Sequence, residues 1–186
     1  MGASRKKISL KHNKVIAAMS GGVDSSVSAA LLKKAGFDVT GMFMKCWSAD
    51  DPFGENCSAL DDERMARLAA EKIGIPFYSV NLIDEYKKRV VQYLLDGYKK
   101  GITPNPDVMC NKEIKFGLFY DKAMELGADY VATGHYAIVR NGKIFAGKDP
   151  EKDQSYFLSM IKPNVLKNVL FPIGTFKKTK VRQLAK

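Results

Sequence analysis

With 186 residues, 46% of them hydrophobic, the chain suffices for one well-cored domain and the beginning of another. Thirty Lys+Arg against 20 Asp+Glu leave a formal charge of +10, which fits either a polyanionic partner or a lysine-rich solvated surface, since net charge does not say where charges lie. Three cysteines (Cys46, Cys57, Cys110) do not make a secreted disulfide framework, no apolar run approaches the roughly 18 residues of a membrane span, and the basic leader lacks a signal-peptide core, so a cytoplasmic protein without a membrane segment is expected.

After a basic leader (1–13), Lys14 to Met19 reads as a buried strand and residues 24–35 as a helix stopped by Gly36. Asp38 to Lys45 forms a second strand, and a polar loop through Asp50-Asp51-Pro52-Phe53-Gly54 leads to a helix opening at Ser58, with Asp61 as capping partner, that runs through Ile73 to Gly74. Pro76 to Leu82 is a third strand. Residues 84–98 form an amphipathic helix with Tyr86, Val90, Tyr93, Leu94 and Gly97 on its apolar side. The segment GITPNPDVMCN, with two prolines and two asparagines, reads as a loop, followed by a helix from Lys112 to Leu126 and a strand from Asp129 to His135. Asn141-Gly142 then marks a tight hairpin between 136–140 and 143–146, and the tail reads as short helices. The alternation implies an α/β fold, a parallel sheet with helices on both faces.

Between the first strand and its helix stands Ser20-Gly21-Gly22-Val23-Asp24-Ser25-Ser26. Glycines let a ligand reach bare backbone, and a helix start offers unpaired N–H groups with partial positive charge, so this junction is a phosphate seat. It carries no lysine, unlike GxxxxGK[ST], and it is not GxGxxG. It resembles the SGGxDS pyrophosphate loop of the ATP pyrophosphatases, which cleave ATP between the α and β phosphates. The resemblance implies a Rossmann-like, adenine nucleotide alpha hydrolase-like fold in which Ser20, Gly21, Gly22 and Ser25 hold pyrophosphate and Asp24 positions Mg²⁺.

The second informative segment is TPNPDVMCNKEIKF, Thr103 to Phe116, with Asp107 and Cys110 three apart at the entry to a basic helix. A helix N-terminus and Lys112 would lower the thiol pKa, although a single cysteine there can equally be a small buried hydrophobe. His135 reads either as a packed residue ending a strand or as a neighbour of the nucleotide, and Trp47 either as core or as a stacking platform. The segment is similar to the catalytic loop of the tRNA-specific 2-thiouridylases. MSGGVDSSVSA, FMKxW at Phe43 to Trp47, ADYxATGHY at Ala128 to Tyr136 and KDQSYFL at Lys152 to Leu158 follow the same family in the same order.

That resemblance implies adenylation by ATP of the C2 oxygen of a wobble uridine, in the anticodon stem-loop of tRNA, followed by sulfur transfer from a cysteine persulfide. By position, Ala18, Met19, Ser20, Gly21, Gly22, Val23, Asp24, Ser25, Met44 and Gly134 would contact ATP. Asn105, Pro106 and Asp107 would meet the base, with Asp107 as acid/base group; Cys110 would be a catalytic cysteine; Lys152, Asp153 and Gln154 would touch tRNA. An upstream protein would donate the persulfide sulfur. The implied division is an ATP-binding domain over 14–150, containing the catalytic loop 102–111, and the start of a tRNA-contacting segment over 151–186. The family's second, persulfide-bearing cysteine lies beyond the matched part. Cys46 stands where the family commonly has another residue, Cys57 follows in the next loop, and nothing in the sequence requires either sulfur to approach Cys110. A cluster on the three cysteines lacks CxxC spacing. Alternatives are a non-catalytic nucleotide- and RNA-binding module of the same fold, or another ATP pyrophosphatase.

Overall fold

The computed structural model describes residues 13–48 and 59–186. The leader, the polar loop, Cys57 and the helix start at Ser58 lie outside these residues.

Strand β1 (Lys14–Ala18) runs through the centre of the molecule and is buried on both sides, with Val15 and Ala17 each 1% exposed. Side chains alternate across a strand, so its two sets of apolar residues line two separate cores. Val15, Ala17 and Met19 meet helix α1 (Val23–Lys34) and helix α2 (Ala59–Ile73) through Ala29, Leu32, Ala66 and Ala70. Ile16 and Ala18 meet the opposite layer, helices α3 (residues 83–99) and α4 (residues 106–125), through Val90, Ile114, Phe119 and Ala123. A β1 without polar side chains after Lys14 is therefore what a doubly covered parallel sheet needs.

Strand β2 (Asp38–Lys45) pairs with β1 in parallel, and β3 (Phe77–Asn81) pairs with β2. The chain then returns to the other side of β1, where β4 (Tyr130–Ala132) pairs in parallel. The topology thus reverses between β1 and β4, and the C-terminal ends of those two strands open a crevice of the kind where α/β folds bind ligands. Beyond β4, β5 (Ala137–Arg140) and β6 (Lys143–Ala146) form the expected hairpin, with Asn141 at φ 52° and Gly142 at φ 69°.

Two expectations are corrected. The segment taken as a loop is helical from Pro106 onward, because Asn105 and Pro106 act as cap residues rather than breakers: Asn105 Oδ1 accepts from the Asp107 and Val108 N–H groups at 3.0 and 3.1 Å, and Pro106 occupies the first turn, where its missing N–H costs nothing. The tail is not only short helices. After two 3₁₀ turns (Ser155–Leu158 and Val165–Asn168), strand β7 (Val169–Leu170) joins the same sheet beside β4, giving the order β3-β2-β1-β4-β7. Helix α5 (Lys178–Leu184) then buries Val181 in a cluster with Val27, Tyr136 and Ile173. Helices α3 and α4 each include a π-helical stretch, Lys87–Val91 and Cys110–Leu118, which no sequence pattern announced.

Candidate functional site

The turn that follows β1 is held by its own hydroxyls. Ser25 Oγ accepts from the Ser20 N–H at 3.1 Å and donates to the Gly22 carbonyl at 3.0 Å, and Ser26 Oγ donates to the same carbonyl at 3.0 Å. Gly22 is the N-cap of α1 and supplies no side-chain cap, so the first-turn amides of the helix keep their capacity for an anion. Gly21 sits at φ +81°, and a Cβ there would lie 2.5 Å from the Asp62 carbonyl oxygen, so the glycine also lets α2 close against the turn. Of the other residues expected to meet nucleotide, Met19 is 1% exposed and packs in the core, which leaves only its backbone to serve. Ala18 is likewise buried, Val23 is exposed, and Met44 is half-buried beside Ala18.

Gly134, just past the end of β4, touches the same turn. A Cβ on it would stand 2.8 Å from the Ser25 nitrogen and 2.9 Å from the Asp24 carbonyl carbon. Backbone cannot yield there without moving the first turn of α1. Gly134→Ala is therefore expected to lower stability by about 1–3 kcal/mol, as overpacking does, and to weaken nucleotide binding along with it. Thermal unfolding and nucleotide titration of the same variant check both effects.

Asp24 points its carboxylate across the crevice. Lys178 Nζ, at the start of α5, lies 2.7 Å from each carboxylate oxygen, and the Tyr136 hydroxyl donates to Oδ1 at 2.9 Å. Burial, with the bonded Asp24 carboxylate next, pushes the Tyr136 hydroxyl pKa up, so it remains a donor. The Lys178 backbone N–H is itself held by Asp149 Oδ2 at 2.8 Å, and Asp149 is 8% exposed. Lys178 thus brings to the phosphate turn the lysine that the turn's own sequence lacks. The sequence reading missed it, because the Lys177-Lys178 pair in a basic tail carries no local signal; only the packing of α5 on α1 brings it there. One protein carboxylate completed by phosphate oxygens suits Mg²⁺, and both oxygens of Asp24 would have to be shared with or released by Lys178. Among the described residues, no group of three His, Cys, Asp or Glu could hold a metal ion.

The second region begins where α4 starts. Asn105 caps the helix, Asp107 is exposed in its first turn, and Cys110 opens the π-helical stretch. Pro104 is buried against Gly97 of α3, whose missing side chain makes room for the ring. Cys110 and Met109 pack against the same apolar cluster as Met44, Ala18 and Tyr86. The end of β1, the end of β2 and the start of α4 therefore share one apolar cluster. The expectation of a lowered thiol pKa is corrected. Burial pushes the Cys110 thiol up, Lys115 offsets part of this, and Asp107 adds to the rise. Lys112 is not the compensating charge, because it is paired with Glu113 at 3.1 Å.

His135 is packed at the end of β4. Its ring lies among Phe116 and Phe171, its Nδ1 is 2.7 Å from Thr133 Oγ1, and burial, helped by Lys115, holds its pKa down at about 3. A folded pKa below the unfolded value of 6.5 means that stability is complete above about pH 6.5 and falls as pH drops toward 3, by up to about 1.4 kcal/mol per pH unit. His135→Asn should flatten that decline, which urea midpoints measured from about pH 7 to about pH 4 would show. Trp47 is half-buried, edge-on to Tyr86 at 5.2 Å.

Lys152, Asp153 and Gln154 lie in the loop after the hairpin. Gln154 exchanges two hydrogen bonds with the Tyr136 backbone, each 3.0 Å, and Asp153 accepts from the Gly147 N–H at 2.7 Å and from Ser155 Oγ at 2.7 Å. Lys152 is exposed. A groove of about 650 Å³ lies between α1, α2 and α5 and reaches the phosphate turn at Gly21, Val23 and Ser26. None of its described helices is long and apolar enough to cross a membrane.

The fold alone is shared with the crystal structure of a predicted subunit of tRNA methyltransferase from Methanocaldococcus jannaschii DSM (TM-score 0.58, 16% identity, 93% of this chain and 74% of that one). It is also shared with a 4-thiouridine synthetase–RNA complex with bound ATP (TM-score 0.52, 23% identity, 93% of this chain and 40% of that one). In sequence, the chain is 55% identical over 177 residues to the tRNA-specific 2-thiouridylase MnmA of Streptococcus pyogenes serotype M49 (strain NZ131), and 54% identical to that of Streptococcus uberis (strain ATCC BAA-854 / 0140J). Each match covers 92% of this chain and 47% of the relative, so the chain spans about half the length of the curated relatives it matches. These relatives bear out the 2-thiouridylase resemblance carried by the motifs. A family model described as tRNA methyl transferase HUP domain matches residues 13–186, and the chain belongs to that family.

Proposed function

We propose that this chain is the nucleotide-binding, adenylating portion of a tRNA uridine 2-sulfurtransferase. One observation carries the proposal: β1, whose end leads into the open N-terminus of α1, and the Asp107–Cys110 start of α4 pack into one cluster through Ala18, Met44 and Cys110. A triphosphate over the first and a uracil beside the second would be neighbours.

In this scheme the Ser20–Ser25 turn holds the pyrophosphate of ATP through backbone N–H groups and hydroxyls, and Lys178 supplies the positive charge that the turn lacks. Mg²⁺, held by Asp24 and phosphate oxygens, would neutralise charge on the leaving pyrophosphate. Asn105 and Pro106 shape the pocket for a base turned out of the anticodon loop, and Asp107 is placed to exchange a proton with it. A cysteine persulfide, loaded by an upstream donor protein on the family's second cysteine, then delivers sulfur to C2 of the uracil, with Cys110 as the catalytic cysteine that pairs with it. Asp153 and Gln154 fix the loop that presents Lys152 to RNA phosphates.

The test is thiolation itself. A full-length protein that contains this chain, with ATP, Mg²⁺, a persulfide donor and an anticodon stem-loop transcript, should yield RNA retarded on a mercury-containing gel, with no retardation when ATP is left out. RNA that binds but never gains sulfur or becomes adenylated would favour a non-catalytic module, and pyrophosphate release with a small-molecule acceptor and no RNA would favour another ATP pyrophosphatase.

A further inference from the structure

The two groups that hold Asp24 have a common support. Tyr136, whose hydroxyl donates to Asp24 Oδ1 at 2.9 Å, is buried just before the hairpin, and Lys178, whose Nζ lies 2.7 Å from each Asp24 oxygen, opens α5. Both are fastened to the loop that follows the hairpin, residues 147–154. Gln154 makes two hydrogen bonds of 3.0 Å with the Tyr136 backbone, its N–H donating to the carbonyl and its side-chain oxygen accepting from the N–H. Asp149 Oδ2 accepts from the Lys178 N–H at 2.8 Å. A phenol and an ammonium from distant elements thus reach one carboxylate because one loop sets both.

Local bonds keep that loop in shape. Its first part is a tight turn, Asp149-Pro150-Glu151-Lys152, with proline at the second position, where its fixed φ suits a turn. The Lys152 N–H donates to the Asp149 carbonyl at 3.1 Å, and the Glu151 N–H donates to Asp149 Oδ1 at 3.2 Å. Asp153 Oδ1 accepts from the Gly147 N–H at 2.7 Å and so joins the two ends of the loop. Gly147 lies against Tyr136 so closely that a Cβ on it would stand 2.7 Å from the Tyr136 carbonyl oxygen. Lys148 and Lys152 stay exposed beside Glu151, and they are the charges of the loop that RNA phosphates would meet.

Nucleotide changes what Asp24 depends on. With phosphates in the turn after β1, the Lys178 ammonium turns to them in the scheme above, and the Tyr136 hydroxyl remains to fix the direction of the carboxylate. The position of that hydroxyl rests on the loop through Gln154. RNA that steadies the loop through Lys148 and Lys152 favours the same arrangement, so each ligand reduces the ordering cost of the other. From this convergence, and resting on the adenylation reading above, we infer that the 147–154 loop makes RNA binding and nucleotide binding mutually dependent, with Tyr136 as the positioning residue that joins them.

Binding tests this without turnover. In a full-length protein that contains this chain, α,β-methylene-ATP with Mg²⁺ is titrated with and without a saturating anticodon stem-loop transcript, and the transcript with and without saturating nucleotide. Each ligand should tighten the other by the same factor, about 10-fold, because couplings between binding sites are reciprocal. Tyr136→Phe keeps the ring and both backbone bonds to Gln154 and removes one oxygen. It should bind each ligand alone within about 3-fold of the unaltered protein, while the coupling falls to about 2-fold or less. Gln154→Met, which cuts the tie at its other end, should reduce the coupling likewise with the hydroxyl in place. A tyrosine that only packs would change the melting temperature or the separate affinities and leave the coupling factor as it was. Undiminished coupling in Tyr136→Phe, or independent binding of the two ligands by the unaltered protein, would overturn the inference and leave the adenylation reading standing. A protein that binds neither nucleotide nor transcript would overturn that reading and the inference together.

Discussion

Asp24→Asn is expected to reduce ATP-dependent activation of RNA by about 10²–10³-fold while leaving the fold intact. Asn keeps an oxygen for the Tyr136 hydroxyl, now 2.9 Å from Asp24 Oδ1, but loses the charge that Lys178 and a metal ion would meet. The Lys178 and Asp24 side chains are 23% and 32% exposed, so the ion pair itself contributes about 1 kcal/mol, and the midpoint of thermal unfolding should fall by only about 2–4 °C. Asp24→Ala is different. It leaves the Lys178 ammonium and the Tyr136 hydroxyl without their shared acceptor, and about 2–3 kcal/mol of stability should go with it. Lys178→Met should weaken nucleotide binding with a smaller effect on turnover of bound nucleotide, because its charge serves the phosphates rather than the reacting base. Nucleotide titrations paired with melting curves for the three variants distinguish these effects; unchanged nucleotide binding in Lys178→Met would reduce the lysine to a structural tie between α5 and α1.

The second large effect falls on Cys110. In the full-length protein, Cys110→Ser should spare the activated RNA intermediate and reduce sulfur transfer by about 10³-fold or more, since a hydroxyl cannot take a thiol's part in sulfur–sulfur exchange. Activated RNA should then accumulate, visible as label from α-³²P-ATP on the transcript. The surroundings of the thiol add a finer expectation. Burial and Asp107 push its pKa up and Lys115 opposes them, so Asp107→Asn should speed alkylation of Cys110 at neutral pH and Lys115→Gln should slow it. Normal thiolation by Cys110→Ser would remove Cys110 from the chemistry altogether.

Much of the fold was legible because backbone rules and burial agreed. Lys14–Ala18 has no polar residue after its first position, which only a strand covered on both faces requires, and the helices between strands end at glycines whose placement bounded each unit. The phosphate turn was legible for a similar reason: glycine and hydroxyl residues at a strand-to-helix junction have a local chemical meaning. What escaped was set by tertiary contact. Asn105 and Pro106 read as loop residues because the same side chains that break a helix in its middle begin one at its end. The strand Val169–Leu170 is two residues long and exists because Val131 and Ala132 offer an open sheet edge. Lys178 reaches Asp24 across 154 positions of sequence, and no motif spans that distance. The direction of the Cys110 shift was misjudged because burial is a property of the folded chain, and because Lys112, the nearest cation in sequence, is paired with Glu113.

The central claim is that ATP bound at the start of α1 reacts with RNA held at the start of α4. Exchange of labelled pyrophosphate into ATP, measured with the 186-residue chain and an anticodon stem-loop transcript, tests it most directly. The account predicts exchange that requires the RNA, disappears in Asp24→Asn and survives in Cys110→Ser. Exchange that proceeds equally without RNA, or none with any transcript bearing a wobble uridine, would contradict it.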